Sequence, residues 1–142
     1  MKQRTGSHSV FAFQAHLVFT TKYRYRVLRG EVQLRCRDLM RQICDARDIR
    51  IVKGVVSADH VHLHISYPPK HSISDIVRWL KGRTARKLLQ EFPQLRKRYW
   101  GGHFWGIGYG GWSSGNVTDA MINEYLEHHE TQPNSSEDFI LE

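Results

Sequence analysis

The alternation of apolar and polar positions predicts three strands in the first half of the chain. Residues 8–20 alternate and are rich in Phe and Val, residues 49–56 form a second run, and HVHLHISY at 60–67 forms a third. Only residues 57–59 separate the last two runs, which predicts a hairpin. In the first strand, one face contains Phe11, Phe13, Ala15, Leu17 and Phe19, and the other contains Gln14 and His16.

Helical spacing predicts one helix between the first two strands and another after the third. From Glu31 to about Arg47 the apolar residues recur every three or four positions. Ser72 and Asp75 have the spacing of a capping box, which predicts the start of the second helix. Pro93 is expected to interrupt that helix.

The C-terminal part of the chain predicts a fourth strand and a last helix. Residues 103–114 are aromatic and glycine-rich, which is typical of a bent strand. Asn116 is the expected cap of the last helix, in which Val117, Met121 and Tyr125 share one face. The complete order is therefore β-α-β-β-α-β followed by a helix.

This order predicts an α+β fold of the ferredoxin-like (RRM-like) class. In that fold both helices pack on one face of an antiparallel sheet, and the first and third strands are central. We expect one domain at residues 1–131 and a polar, flexible tail at residues 132–142. The C-terminal helix is then free to cover the other face of the sheet.

The segment DHVHLHI at residues 59–65 places imidazoles and apolar side chains on opposite sides of the third strand. If Val61, Leu63 and Ile65 face the helices, His60, His62 and His64 point to the open face, as do Gln14 and His16. Two imidazoles at alternate strand positions lie about 6–7 Å apart at the backbone and can reach one metal ion. By itself, such a pair is more often incidental than ligating.

A tyrosine and a histidine share a face of the last helix. Tyr125 and His129 are at i and i+4 in NEYLEHH, so a helix across the open face would make His129 a third ligand beside His60 and His62. A nearby cation would favour the Tyr125 phenolate, which is the nucleophilic form. The alternative from spacing alone is a core tyrosine on an amphipathic helix. His128 lies off this face and is expected to be exposed.

The charge of the chain favours a polyanionic partner. The net charge is +7, and basic residues cluster in TKYRYR (21–26), KGRTARK (81–87) and RKRYW (96–100). Cations beside aromatic rings, as in the first and last clusters, suit single-stranded nucleic acid. No apolar run is long enough to cross a membrane and the polar start is not a signal peptide, so we expect a cytoplasmic protein. Cys36 and Cys44 are expected to be buried thiols.

Four segments, in this order and at these distances, resemble a known family: TKYRYRVL, ADHVHLHIS, LKGRTARKL and SSGNVTDAMINEYLEHH. They resemble the single-tyrosine HUH transposases of the IS200-like insertion sequences, and also the REP-associated tyrosine transposases. The resemblance extends from about His8 to His129. The family's His-hydrophobic-His (HUH) motif matches residues 60–62, and its nucleophilic tyrosine matches Tyr125. Two positions depart from the family pattern, because His129 replaces the usual Gln and His64 replaces an aliphatic residue.

The resemblance implies a DNA transposase that cleaves and rejoins single-stranded DNA at element ends. Tyr125 would attack a phosphodiester and leave a 5′-phosphotyrosine and a free 3′-hydroxyl. Mg²⁺ or Mn²⁺ would be held by His60, His62 and His129, with His64 as a further ligand or as part of an alternative pair with His62. Family members act as homodimers on DNA hairpins near element ends, and the tyrosine helix can act on the partner's histidines. The expected DNA contacts are Lys22, Arg24, Arg26, Lys81, Arg83, Arg86 and Lys87.

Two other functions are compatible with the residues alone. One is a non-enzymatic module that binds single-stranded nucleic acid, although such a sheet would usually present aromatic side chains rather than histidines. The other is a nuclease with a metal-bound water held by His60, His62 and His64, which cleaves without a covalent intermediate and gives Tyr125 no role. An inactive copy of a transposase is a third alternative.

Overall fold

A computed structural model describes residues 4–5, 10–11, 13–113 and 117–128 of the chain. The predicted tail at 132–142, the predicted cap Asn116 and the candidate ligand His129 lie outside the described residues. A 3-10 turn at Lys22–Arg24 follows the third strand. The strands and helices are β1 (Arg4–Thr5), β2 (Val10–Phe11), β3 (Gln14–Thr20), α1 (Gly30–Ala46), β4 (Arg50–Val56), β5 (His60–Ser66), α2 (Ile73–Glu91), α3 (Pro93–Arg98), β6 (Gly110–Trp112) and α4 (Asp119–His128).

The main sheet has the predicted ferredoxin-like topology. Its strands lie in the order β4-β5-β3-β6, and all neighbours are antiparallel. The central strands β3 and β5 pair along their whole length, with Leu17 opposite Leu63 and Val18 opposite His62. The α+β fold class and the central place of the histidine-bearing strand are therefore confirmed.

The helices α1 and α2 pack on one face of this sheet and form the main core with it. Leu17 and Phe19 of β3 and Val61 and Leu63 of β5 are almost completely buried there. Burial of each such side chain contributes roughly 1.5–3 kcal/mol to folding. The helices contribute Cys36, Leu39, Met40, Ile76, Leu80 and Leu88, among others.

Both cysteines are buried thiols, as the sequence predicts. Cys36 is fully enclosed in the core, and Cys44 lies in the last turns of the same helix. Burial raises the pKa of each thiol to about 12, so the reactive thiolate is disfavoured at neutral pH.

The first predicted strand is broken, which corrects the expectation of one strand at 8–20. Val10–Phe11 pairs with Arg4–Thr5 in a separate two-stranded sheet, and β3 begins only at Gln14. Phe13 lies between the two strands, is 46% exposed and stacks on Tyr67 with ring centroids 6.0 Å apart. The prediction that Phe13 shares a strand face with Ala15, Leu17 and Phe19 is therefore wrong, because the strand begins after Phe13 and alternation alone does not show where a strand ends.

The predicted fourth strand is also much shorter than expected. Among the described residues of this segment, only Gly110–Trp112 pairs with β3 as a strand, and Trp105 forms an isolated bridge with Thr21. The preceding loop is fixed by its aromatic side chains, since Trp105 is buried and its Nε1 donates to Thr84 Oγ1 at 2.9 Å. Aromatic residues of this loop, such as Phe104 and Trp105, are buried in the main core. The loop therefore has the amino-acid composition of a strand although its backbone is not paired as one.

The predicted boundaries of α2 are confirmed. Ser72 Oγ accepts the backbone N–H of Asp75 at 3.1 Å, which caps the first turn. The helix ends at Glu91, and Pro93 begins α3, where its missing N–H has no cost. Within the described ranges, no helix combines the length and the apolar character that a membrane crossing requires.

Candidate active site

Four imidazoles meet on the sheet face that α1 and α2 leave open: those of His60, His62 and His64 on β5, and of His16 on β3. His16 Nδ1 and His62 Nε2 are 3.0 Å apart, at hydrogen-bond distance, and the rings of His16 and His64 stack with centroids 4.0 Å apart. Val61 and Leu63, which alternate with these histidines, face the main core. The alternation of β5 therefore separates a structural face from a chemical one, as predicted.

The surroundings of the two inner histidines, His62 and His64, favour the neutral imidazole. Burial lowers the pKa of His62, and the neighbouring His60 and His64 lower it further. Burial also lowers the pKa of His64. The neutral imidazole is the form that binds metal ions, so this environment favours ligation over protonation.

Asp59 fixes the orientation of His60. Its Oδ1 lies 2.9 Å from His60 Nδ1, and a carboxylate only accepts, so Nδ1 carries the proton. Burial alone would raise the pKa of Asp59, but hydrogen bonds from His60 and Arg24 outweigh burial and lower it. His60 Nε2 is left as the nitrogen with a lone pair, which is the usual arrangement of a metal-binding histidine backed by a carboxylate.

The last helix packs on the open face of the sheet, which the sequence analysis left free for it. Ile122 and Leu126 pack on Val18, and Thr118 Oγ1 accepts the N–H of Met121 at 3.2 Å. Thr118 thus fills the capping role that the sequence assigned to Asn116. The buried stripe of α4 is also one residue away from the predicted face, because Met121 is only partly buried whereas Ile122 is buried.

A pocket lies between α4 and the histidines. It has a volume of about 310 Å³ and is lined by His60, His62, Asp119 and Asn123, together with Val55 and Ile122. Asp119 and Asn123 are at i and i+4 of α4 and therefore occupy the same side of that helix. The sequence analysis missed both, although their spacing is the signal that could have found them.

Tyr125 lies on the other flank of α4 and is not among the residues that line the histidine pocket. Its ring meets Trp112 edge-on at 6.3 Å and lies against Gly110, where an added Cβ would be 3.0 Å from Tyr125 Cδ1. Burial raises the pKa of Tyr125 to about 12, and the charge of Arg24 lowers it in part. Tyr125 therefore sits as a protonated phenol beside β6. The exposed position of His128 is as predicted.

The donor set of the pocket fits a divalent cation in its chemistry. His60 presents the required tautomer, His62 is kept neutral, and Asp119 adds an oxygen donor of the kind that Mg²⁺ and Mn²⁺ prefer. In the part of the chain that the structure describes, no group of three or more His, Cys, Asp or Glu side chains is arranged as a metal cluster. His64 stacks on His16, set back from the pocket lining.

The predicted DNA contacts of the first basic segment have different environments. Arg24 is mostly buried and donates to Asp59 Oδ2 and to the carbonyl of Leu126. Arg26 is 63% exposed, with Nη1 4.0 Å from Asp59 Oδ2. The ammonium of Lys22 lies 4.9 Å from the Tyr23 ring centroid.

The predicted contacts on α2 also divide into two kinds. Lys81 donates to the carbonyls of Gly106 and Gly108 at 2.8 and 2.7 Å and thereby holds the loop before β6. Burial lowers the pKa of Lys81 to about 8. Arg83 and Arg86 line a groove of about 580 Å³ between α1 and α2, and Lys87 is partly exposed on the same helix. This groove contains further arginines and a tryptophan: Arg47, Arg78 and Trp79. It belongs to the helical layer, on the far side of the sheet from the histidines.

A ferredoxin-like sheet with a His-hydrophobic-His motif on a central strand, crossed by a helix that carries a tyrosine, is the arrangement that the resemblance to single-tyrosine HUH transposases leads us to expect. Residues 9–129 match the family model described as "Transposase IS200 like". The chain belongs to this family.

Individual relatives agree with this assignment. The chain is 35% identical over 127 residues to the ISDra2 transposase TnpA of Deinococcus radiodurans, covering 89% of this chain and 91% of that one. It is 31% identical over 126 residues to the IS200 transposase of Salmonella typhimurium, covering 89% and 82%.

Solved structures share the fold. The crystal structure of a Deinococcus radiodurans protein superposes with a TM-score of 0.83 at 34% identity, covering 91% of this chain and 99% of that one. A REP-associated tyrosine transposase bound to a REP hairpin superposes with a TM-score of 0.56 at 14% identity, covering 92% and 76%, and supports the fold alone.

Proposed function

We propose that the protein cleaves and rejoins single-stranded DNA at insertion-sequence ends through a 5′-phosphotyrosine on Tyr125. The observation that carries the proposal is the pocket in which Asp59-oriented His60 and neutral His62 face a helix with a tyrosine. Family membership supports a DNA-transposing enzyme, and the geometry supports this particular chemistry.

The covalent step needs an activated phenol and a phosphodiester in line with it. Tyr125 Oη attacks the phosphorus, the bond from phosphorus to the 3′-oxygen breaks, and the proton lost by the phenol balances the one gained by the 3′-hydroxyl. Rejoining reverses the roles, because a 3′-hydroxyl attacks the phosphotyrosine and releases the phenol. The phosphodiester energy is kept in the covalent bond, so no nucleotide cofactor is required.

Mg²⁺ or Mn²⁺ is the proposed cofactor, held by His60 and His62 with Asp119 in the same pocket. When bound, such an ion supplies the positive charge that polarises a phosphoryl oxygen. His129 stays a candidate third ligand from the sequence. The role of the protein in this scheme is to hold His60 by Asp59, which leaves the lone pair of His60 Nε2 for the ion, and to lower the pKa of His62 so that its imidazole is neutral.

The active enzyme is proposed to be a homodimer in which Tyr125 serves the partner's histidines. Within one chain, Tyr125 contacts β6 while the pocket opens on the opposite flank of α4. Burial also raises the pKa of Tyr125 to about 12, so in this position the phenol is protonated and is not activated as a nucleophile. Movement of α4 onto a second copy would remove the phenol from this environment and complete the site there.

The proposed substrate is a single-stranded DNA hairpin at the end of the element. A net charge of +7 and the groove with Arg83 and Arg86 support binding of the phosphate backbone. The related REP-associated enzyme, whose structure contains a REP hairpin, is a precedent for this class of substrate.

The first test is a denaturing-gel assay for a covalent protein–DNA adduct. The wild type, Tyr125→Phe and His62→Ala are incubated with labelled hairpin DNA, with and without Mn²⁺. An adduct that needs the metal and disappears in both variants is the expected result. Cleavage that survives Tyr125→Phe without an adduct would indicate the hydrolytic nuclease instead, and binding without cleavage would indicate a binding module or an inactive copy.

Mixing the two inactive variants tests the use of Tyr125 in trans. If Tyr125→Phe chains supply the histidines, the His62→Ala chains that retain Tyr125 should regain adduct formation. A size tag on one variant shows which chain is labelled, and the label is expected on the His62→Ala chain alone. No adduct in the mixture, beside an active wild type that exchanges subunits under the same conditions, would contradict action in trans.

A further inference from the structure

The guanidinium of Arg24 bridges the histidine motif and the tyrosine helix. Its Nε and Nη2 donate to Asp59 Oδ2 at 3.1 and 2.9 Å, and its Nη1 donates to the carbonyl oxygen of Leu126 at 2.9 Å. The other oxygen of the same carboxylate, Asp59 Oδ1, lies 2.9 Å from His60 Nδ1. A continuous series of hydrogen bonds, here called the Arg24 bridge, thus runs from Leu126 through Arg24 and Asp59 to His60.

The backbone at Arg24 and at the residue before it has an unfavourable conformation. Tyr23 and Arg24 have φ angles of 62° and 55°, in the left-handed region that non-glycine residues rarely adopt. The turn is held in this conformation by hydrogen bonds on both sides. Lys22 N–H donates to Phe104 O at 2.8 Å, and Thr21 Oγ1 donates to Tyr25 O at 2.7 Å. Strain that the surroundings maintain so firmly indicates that the position of Arg24 matters.

The bridge requires an arginine. A guanidinium offers a rigid fork of N–H donors that can bind a carboxylate with two of them and still present another to a carbonyl. The side chain of Arg24 is 20% exposed, so its donors are directed into the protein rather than to solvent. Arg24 is one of the basic residues that we expect to contact DNA, and in the protein alone its donors bind Asp59 and the carbonyl of Leu126.

We infer that Arg24 is a positioning residue that couples the docking of α4 to the orientation of the metal-binding face of His60. The inference rests on the proposed function, because the coupling has a purpose only if Tyr125 and His60 serve one reaction. When α4 is docked, Leu126 and Asp59 share one guanidinium. When α4 leaves, as action in trans requires, the guanidinium loses its carbonyl acceptor and Asp59 becomes its remaining partner on the bridge.

The test compares Arg24→Gln and Arg24→Lys with Arg26→Gln in the full-length chain without DNA. Arg26 is the matched control, because its Nη1 also lies 4.0 Å from Asp59 Oδ2, but its side chain is 63% exposed and forms no hydrogen bond or ion pair with the described residues of α4. Three quantities are measured: amide hydrogen exchange of residues 119–128, the protonation of the His60 ring nitrogens by ¹⁵N NMR, and binding of Mn²⁺ alone. Circular dichroism confirms that each variant is folded.

Both Arg24 variants should accelerate exchange in α4 by about tenfold or more and should populate the other His60 tautomer, because the bridge to Leu126 and the hold on Asp59 are lost together. Binding of Mn²⁺ should weaken by roughly ten- to a hundredfold, as for other groups that support a metal ligand. Arg26→Gln should change each quantity by less than about twofold. Arg24→Lys keeps the charge, so it carries the test if Arg24→Gln does not fold.

Faster exchange in α4 with an unchanged His60 tautomer and unchanged Mn²⁺ binding would overturn the coupling and leave Arg24 as a purely structural contact. Equal behaviour of the Arg24 and Arg26 variants would overturn it as well. Failure of the proposed function looks different, since a wild type that forms no adduct with hairpin DNA still reports its α4 exchange and His60 tautomer.

Discussion

The same strands form both faces of the central sheet, but one face forms the main core with the helices and the other carries the candidate catalytic residues. On β5, Val61 and Leu63 are 0% and 2% exposed beneath α1 and α2, whereas His60, His62 and His64 are partly exposed on the opposite face, where α4 packs. The helical face is closed by two long helices and the histidine face by one short one. Because successive side chains of a strand point to opposite faces, one strand can supply core residues on one face and reactive residues on the other.

The difference also shows in the kinds of interaction on each face. The helical face is held by apolar contact, which is roughly proportional to buried area and does not depend on orientation. The histidine face combines a small apolar cluster of Val18, Ile122 and Leu126 with directional hydrogen bonds, such as those between His16 and His62 and from Arg24 to Leu126. We therefore expect substitutions on the helical face to change stability, and those on the histidine face to change chemistry and the placement of α4.

The largest effect should come from two neighbouring residues of β5 that face opposite ways. Leu63→Ala removes a side chain that is 2% exposed and should lower the free energy of unfolding by about 2–5 kcal/mol, through lost burial and the cavity that remains. His62→Ala removes a partly buried ring and its bond to His16, and should cost only about 1–2 kcal/mol while abolishing adduct formation. Urea unfolding measures both. A loss for His62→Ala as large as that for Leu63→Ala would break the division between the faces.

The division itself could be predicted from the sequence, and so could most of the fold. The alternation in residues 60–66 and the helical spacing in residues 30–46 reflect burial, and burial is what decides the topology of a ferredoxin-like sheet. The end of a strand depends instead on where its neighbour stops. For this reason the break before Gln14 and the short β6 were not predictable from the alternation.

The candidate site could be predicted in its residue types but not in its arrangement. Helical spacing shows that Asp119 and Asn123 share a side of α4, but not that this side faces the histidines rather than the side with Tyr125. Charge likewise does not show whether an arginine meets solvent or protein. Arg24 and Arg26 are neighbours in one basic cluster, yet one bridges two elements and the other is exposed.

A second pair of neighbouring residues, Gly110 and Gly111, tests which contacts hold α4 on the histidine face. A Cβ at Gly110 would lie 2.8 Å from Trp112 Cη2, closer than side-chain packing allows, and 3.0 Å from Tyr125 Cδ1, so both rings would have to shift. Gly110→Ala should therefore lower the free energy of unfolding by about 1–3 kcal/mol through overpacking and should accelerate amide exchange in α4.

The control for this change is Gly111→Ala, where the nearest atom is Tyr109 Cε2 at 3.4 Å, an ordinary contact distance. Its effect on stability should stay within about 0.5 kcal/mol. Equal exchange rates of α4 in the two variants would show that the contact of Tyr125 with β6 does not hold this helix.

The smallest expected effect is a gain in stability confined to the helical layer. Gly82 lies inside α2 with no atom within 4 Å of an added Cβ, so Gly82→Ala should raise the free energy of unfolding by about 0.5–1 kcal/mol through helix propensity. Gly30 has the same open space but a φ of +56°, so Gly30→Ala should instead destabilise by about 1–2 kcal/mol. Urea unfolding should show changes of opposite sign in the free energy of unfolding of the two variants.

The ring ¹⁵N signals of His60 and His62 should be the same in Gly82→Ala and the wild type, since the substitution lies in the layer on the other side of the sheet. A shift of those signals would show that the two faces are coupled through β5.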